Sequence, residues 1–74
     1  MRQNMRAERA RNGMSIAKVA EKIGVHPNAI ARWENGQAEP TASNLIALSA
    51  LYGTTPEYLL GMTNDPNGVA VASE

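Results

Sequence analysis

This 74-residue chain contains no cysteine, and that absence limits how it can be stabilised. Domains of this size bury little apolar surface and often add disulfides or zinc sites. Neither a disulfide nor a thiolate zinc site is possible here, and a single histidine, His26, cannot form an imidazole metal site. A core of apolar side chains must therefore stabilise the chain alone. Since aromatic residues make up only 4% of the sequence, that core must be aliphatic, which favours a small all-α bundle.

Helix starts and stops divide the chain into five predicted helices. A helix is expected to end where glycine or an Asn-Gly pair interrupts the apolar pattern, and to begin at a Ser or Thr cap or a first-position proline. The predicted helices span about residues 1–12, 16–23, 27–35, 42–52 and 56–60. Residues 62–74 show no apolar pattern at helical spacing. We expect them to form a mobile tail after a domain of residues 1–61.

Positive and negative charges are segregated along the chain. All seven Lys and Arg residues precede residue 34, so that residues 1–33 carry a formal charge of +5 and residues 34–74 a charge of −5. A basic half is typical of a surface that faces phosphates, although ordinary solvated helix faces would give the same asymmetry. We expect phosphate attraction to come mainly from five cations: Arg2, Arg6, Arg11, Lys18 and Arg32.

The sequence predicts no membrane span and no secretory signal. The longest uncharged apolar-rich run, residues 45–52, is far shorter than the roughly 18 residues that a span needs. The N-terminal arginines are not followed by an apolar stretch, and Glu8 does not fit an organelle transit peptide. We therefore expect a cytoplasmic protein with no membrane partner.

The second and third predicted helices have the features of a helix-turn-helix. They are joined by Gly24, Val25 and His26, and Pro27 opens the third helix. Ala20 is small where the helices must cross, and Gly24 can adopt the positive φ of a sharp turn. Apolar side chains are expected to pack between the two helices and fix their crossing angle, namely Val19, Ile23, Val25, Ile30 and Trp33.

Over residues 1–61 the chain resembles the Cro/CI-type, or XRE-type, helix-turn-helix repressors. The matching segments and residues are Gly13-Met14-Ser15, Val19-Ala20, Ile23-Gly24-Val25, Ile30-Ala31-Arg32-Trp33-Glu34-Asn35-Gly36, Pro40, Leu45, Leu48 and Tyr58-Leu59-Leu60-Gly61. The resemblance implies a lambda-repressor-like bundle of five helices that binds operator DNA as a dimer, with the third helix in the major groove. It also implies a transcriptional regulator that acts as a repressor.

Carried over by position, the resemblance places residues 27–35 against DNA. The base-contact candidates are Pro27, Asn28, Ala31 and Arg32, and the phosphate-contact candidates are Ser15, Lys18, His26, Asn35 and Gln37. An asparagine can pair with adenine and an arginine with guanine. Two alternatives stay open: Arg32 could contact a phosphate or only solvent, and Asn28 could form a local hydrogen bond at the helix start.

Other positions match or depart from the family pattern. Arg9 and Glu34 match a structural ion pair between the first and third helices. Ile16 replaces the usual glutamine and offers no phosphate hydrogen bond, and Pro27 replaces a polar residue. The implied dimer surface consists of Leu51, Pro56, Glu57 and Leu60, a small set that predicts a monomer or weak dimer in the absence of DNA.

Two other classes of function compete with DNA binding. An enzyme lacks support, because the chain has no thiol and no His-carboxylate or Ser-His spacing that suggests a catalytic site, and no cofactor motif is present. A protein-interaction module, such as the antitoxin of a toxin-antitoxin pair, would use exposed apolar side chains. The candidates for such a protein partner surface are Ile16, Ile46, Leu51 and Leu60.

Overall fold

The computed structural model describes residues 3–62, which form five α-helices and contain no strand. The predicted all-α fold is confirmed. The helices are α1 (Gln3–Arg11), α2 (Ile16–Ile23), α3 (Pro27–Asn35), α4 (Ala42–Tyr52) and α5 (Pro56–Leu59). The predicted tail lies outside the described residues, except for Met62.

Side-chain caps define the starts of α2, α4 and α5. The hydroxyls of Ser15, Thr41 and Thr55 each accept a hydrogen bond from the backbone N–H three residues later, at 3.1, 3.2 and 3.3 Å. Each cap satisfies one of the N–H groups that a helix leaves unpaired at its start. Such a cap stabilises the helix by about 1 kcal/mol. The three helix starts are therefore encoded locally in the sequence, as predicted.

Gly24 makes the sharp turn between α2 and α3. Its φ of 76° lies in the left-handed region, and its N–H donates to the backbone carbonyl of Ala20 at 2.8 Å. The N–H of Val25 donates to the same carbonyl at 3.0 Å. The predicted positive φ of Gly24 is confirmed, and this geometry turns the chain directly into α3.

The core lies where all five helices meet. Helix α2 packs against α3 and α4, α4 packs against α5, and α1 contacts both α3 and α5. Trp33 is buried, as its shared face with Ile30 predicted. The buried apolar side chains are Met5, Val19, Ala20, Ile30, Trp33, Leu48, Tyr52 and Leu59.

The predicted set of exposed apolar side chains is mostly wrong. Ile16 and Leu51 pack against the core and are only partly exposed, and Leu60 is also half-buried. Ile46 remains 62% exposed, and Met62 is 72% exposed. The apolar surface available to a protein partner is therefore smaller than the sequence suggested. Within residues 3–62 no helix is both long and apolar enough to cross a bilayer.

Replacing Gly24 with valine should destabilise the fold by about 1 to 3 kcal/mol, because a β-branched residue is strained at positive φ. Space is not the cause, since a Cβ added at Gly24 meets no atom within 4 Å. Gly24→Asn is the matched control, because asparagine tolerates the left-handed region. Chemical denaturation should show a smaller loss for Gly24→Asn. Equal losses for the two variants would contradict the inferred backbone strain.

Candidate nucleic-acid interface

The start of α3 is capped by its preceding histidine. His26 Nδ1 accepts a hydrogen bond from the backbone N–H of Asn28 at 3.0 Å, so the imidazole proton is on Nε2. The side chain of Asn28 makes no hydrogen bond with any other residue in the 3–62 range. Both side chains are exposed. The helix start therefore presents an imidazole N–H and a free amide side by side.

The outward face of α3 is formed by Pro27, Asn28, Ala31 and Arg32. Pro27, Asn28 and Arg32 are exposed, and Ala31 is half-buried. Arg32 lies one helical turn after Asn28, which places both on the same side of the helix. No carboxylate in the described part of the chain pairs with Arg32. This face, which we call the α3 face, combines an amide and an unpaired guanidinium.

The start of α2 presents unpaired backbone donors and a weakly paired lysine. Ser15 uses its hydroxyl oxygen to cap the helix, and Ile16 turns partly into the core. The first N–H groups of a helix lack intrahelical acceptors and attract anions. Lys18 Nζ lies 3.7 Å from a carboxylate oxygen of Glu21, and both side chains are exposed. Since exposed pairs of this kind contribute little stability, Lys18 can turn towards another anion at small cost.

The inner side of α3 is held to α1 by a buried carboxylate. Arg9 Nε and Nη2 donate to the two oxygens of Glu34, at 2.7 and 3.1 Å. Arg9 Nη1 also donates to the carbonyl of Met14 at 3.1 Å. The hydrogen bond to Glu34 raises the pKa of Arg9 above its usual value. Glu34 is only 2% exposed, whereas the Arg9 side chain is 18% exposed, so the ion pair predicted from the family pattern is partly buried.

The Tyr52 phenol lies in the same environment as Arg9 and Glu34. Burial raises the pKa of the Tyr52 phenol to about 12, and the charge of Glu34 adds to the shift. Tyr52 therefore stays protonated, and neutral in the core, up to strongly alkaline pH.

The end of α3 is tied to α1 by a second arginine. Arg6 Nη2 donates to Asn35 Oδ1 at 2.8 Å, and Arg6 Nε lies 3.6 Å from a carboxylate oxygen of Glu34. Gly36 ends the helix with a φ of 76°, and the N–H of Gln37 donates to the carbonyl of Arg32 at 2.8 Å. Asn35 and Gln37 are both exposed. The end of α3 thus has the carbonyls of Arg32 and Trp33 satisfied and two amide side chains outside.

A further set of polar contacts lies within α1 and between α1 and α5. Arg11 Nη2 pairs with a carboxylate oxygen of Glu8 at 2.8 Å, and this hydrogen bond raises the pKa of Arg11. Asn4 Nδ2 donates to the carbonyl of Tyr58. Glu8 is 3% exposed although it lies in a predominantly polar helix. Two of the cations expected to attract phosphate, Arg6 and Arg11, therefore already have carboxylate neighbours, and Arg2 is outside the described residues.

The predicted dimer surface lies at the corner between α4 and α5. Its members are all half-buried, and the two helices pack against each other. They are Leu51, Pro56, Glu57 and Leu60. Within residues 3–62 no three His, Asp or Glu side chains are grouped so that they could hold a metal ion.

The sequence profile of the helix-turn-helix family matches residues 5–59, which include all of α2 and α3. Relatives of this chain include phage repressors. The chain belongs to the Cro/CI-type helix-turn-helix family. The family resemblance predicted from the sequence is thereby confirmed.

Three relatives match most of this chain but a smaller part of their own length. The Repressor protein C2 of Salmonella phage P22 is 37% identical over 60 residues, which are 81% of this chain and 28% of the repressor. The 26 kDa repressor protein of Escherichia phage HK022 is 36% identical over 74% of this chain and 23% of its own length. The HTH-type transcriptional regulator YobD of Bacillus subtilis is 31% identical over 88% of this chain and 58% of its own length. The chain matches less than two thirds of each relative.

Solved structures of the P22 repressor share the fold. The crystal structure of the P22 c2 repressor in complex with a synthetic operator has a TM-score of 0.71 at 36% identity, over 74% of this chain and 83% of the repressor chain. The solution structure of the P22 C2 DNA-binding domain has a TM-score of 0.72 at 36% identity, over 78% and 76% of the two chains. The five-helix bundle is therefore the fold of a DNA-binding domain.

Sequence reasoning missed the contact between Arg6 and Asn35 and the burial of Glu8. The contact between Arg6 and Asn35 could have been inferred from spacing. Arg6 and Arg9 lie three residues apart on α1 and so share a face, and Arg9 was already expected to contact α3. No comparable signal marks Glu8, which is buried on a helix that packs against α3 and α5.

Proposed function

We propose that this protein is a sequence-specific double-stranded DNA-binding regulator of transcription, acting as a repressor, which reads the major groove with residues 27–35. The observation that carries the proposal is the α3 face. There Arg32 is exposed and unpaired within residues 3–62, one turn from the free amide of Asn28. Contacts from α1 and α2 fix the opposite side of the same helix.

The chemistry of the α3 face fits base edges. Arg32 can donate two parallel hydrogen bonds to guanine O6 and N7, and Asn28 can pair with adenine N6 and N7. Pro27 and Ala31 offer apolar surface that fits a thymine methyl group. Four side chains on one face of one helix are enough to read a short half-site.

Phosphate contacts would flank this face. We assign them to Ser15 and Lys18 at the start of α2, His26 at the start of α3, and Asn35 and Gln37 at its end. Because Nδ1 of His26 is occupied by the cap, its Nε2–H is the group left to donate to a phosphate oxygen. Since arginines of α1 already neighbour carboxylates, few cations are free to displace counterions, and the salt dependence of binding should be shallow.

The P22 repressor supports duplex DNA as the partner, because its structure with a synthetic operator shares this fold. A homodimer on DNA follows from the small number of bases that one helix can read. The α4–α5 corner, with Leu51, Pro56, Glu57 and Leu60, is our proposed contact between the two copies. We further propose a cytoplasmic, non-enzymatic protein without a cofactor, whose DNA-binding domain comprises residues 1–61.

A protein-interaction or antitoxin role is the weaker alternative. It needs exposed apolar surface, and of the four side chains named for it only Ile46 is well exposed. The two roles are compatible, since a DNA-binding regulator can also bind a protein.

Selection of bound sequences from a random duplex library tests the proposal directly. We expect one enriched sequence with two symmetric half-sites about 10 base pairs apart, centre to centre, which is one helical turn of DNA. A single half-site, or a spacing off the helical repeat, would argue against the two-fold dimer. If no sequence is enriched at low salt, DNA reading by this chain is refuted.

Arg32→Ala should weaken binding to the selected site by about 1 to 3 kcal/mol and relax the preference at one base pair per half-site. Lys18→Ala is the matched control, because it also removes one exposed cation but from a proposed phosphate contact. We expect it to weaken selected and random duplexes alike in band-shift titrations. If Arg32→Ala also weakens both duplexes equally, Arg32 contacts the DNA backbone and not a base.

A further inference from the structure

Arg6 contacts two successive residues at the end of α3 from a different helix. Its Nη2 donates to Asn35 Oδ1 at 2.8 Å, and its Nε lies 3.6 Å from Glu34 Oε1. The Arg6 side chain is 47% exposed, whereas that of Glu34 is 3% exposed. One end of the contact is therefore at the surface, beside the last turn of α3.

This hydrogen bond determines which part of the Asn35 amide faces outward. A guanidinium has only donors, so it captures the amide oxygen and leaves the amide NH₂ pointing away from it. The NH₂ group makes no hydrogen bond with any other residue between 3 and 62. Asn35 therefore presents two donors, and no acceptor, to whatever binds at the end of α3.

The position of this amide creates an electrostatic problem for DNA binding. The C-terminal end of a helix carries partial negative charge from its carbonyl groups and repels phosphates. The N–H groups of Gly36 and Gln37 satisfy carbonyls of the last turn. The positive charge of Arg6, brought in from α1, opposes the remaining negative potential. A cation beside this end of the helix therefore makes the approach of a phosphate more favourable.

Arg6 is also poorly placed to serve stability alone. Glu34 already receives two hydrogen bonds from Arg9, at 2.7 and 3.1 Å. The Arg6–Glu34 distance of 3.6 Å is too long for a good hydrogen bond. Arg6 is therefore a secondary neighbour of a carboxylate that Arg9 already satisfies.

We infer that Arg6 is a positioning residue for the DNA backbone, which orients the Asn35 amide so that its NH₂ donates to a phosphate oxygen and offsets the helix-end charge. This inference rests on the proposed DNA-binding function and adds a role for a residue of α1. The phosphate is recognised by its anionic oxygens and not by any base, so the contact should act equally on all sequences.

A double-mutant cycle tests the inference on the selected duplex. Arg6→Ala and Asn35→Ala should each weaken binding by about 3- to 10-fold, the loss expected for one hydrogen bond. The double variant should be no weaker than the weaker single variant, because each change removes the same contact. Arg11→Ala is the matched control: it removes one α1 cation whose partner is Glu8, and its loss should multiply with that of Asn35→Ala.

Asn35→Asp separates positioning from folding. The carboxylate still accepts from Arg6 but has no donor for a phosphate. We expect its thermal midpoint to stay close to that of the parent protein, because the ion pair with Arg6 offsets the unfavourable charge at the helix end, while its DNA affinity falls below that of Asn35→Ala. A DNA affinity of Asn35→Asp equal to that of the parent protein would overturn the inference.

Failure of the Arg6 role and failure of DNA binding give different results. If the parent protein binds the selected duplex and Arg32→Ala weakens it, but the Arg6 and Asn35 losses multiply, the positioning role is refuted and DNA reading stands. If the parent protein enriches no sequence, both are refuted.

Discussion

The buried carboxylate of Glu34 sets the position of the helix that faces outward from this bundle. Glu34 belongs to α3 and is almost completely buried, and burying a carboxylate is costly unless it is paired and hydrogen-bonded. Arg9 of α1 satisfies both of its oxygens in a two-pronged contact. Since that geometry tolerates little displacement, it specifies how α3 lies against α1.

The remaining features of α3 follow from that constraint. Ile30 and Trp33 bury the same side of the helix as Glu34, so the opposite side must face solvent. Asn28 and Arg32 lie on that opposite side, and the turn at Gly24 fixes where the helix begins. Contacts within the molecule thus serve to present a small polar surface in a defined orientation. Such a surface suits the major groove, whose donor and acceptor pattern is read by side chains of one helix.

The parts of the structure that could be predicted from sequence are those encoded locally. Caps at Ser15 and Thr41 and the turn at Gly24 depend on neighbouring residues, so residue type and spacing were sufficient. The burial of Trp33 followed from its helical spacing with Ile30. The roles of the exposed residues on α3 came from family resemblance, and they remain predictions.

Other parts depended on contacts between distant segments, which residue patterns do not encode. Ile16 opens an amphipathic helix and was expected on the surface, but it packs against the core. Glu8 looks like an ordinary surface residue of a polar helix, and it is buried beneath contacts to α5 and beside Arg11. The hydrogen bond from Arg6 to Asn35 spans 29 residues. In each case the tertiary packing of α1 or α2 determines whether the side chain is buried or which residue it contacts.

Chemical denaturation of an Arg9 and Glu34 double-mutant cycle tests most directly whether this ion pair determines the arrangement of α1 and α3. Arg9→Met and Glu34→Gln should each lower the free energy of unfolding by about 1 to 3 kcal/mol. Arg9→Met leaves the buried Glu34 carboxylate without its main partner, and Glu34→Gln removes the negative charge and one of the two oxygens that accept from Arg9. The double variant should be no less stable than the less stable single variant. Losses that simply add, or single losses below about 0.5 kcal/mol, would show that the bundle positions α3 without this pair.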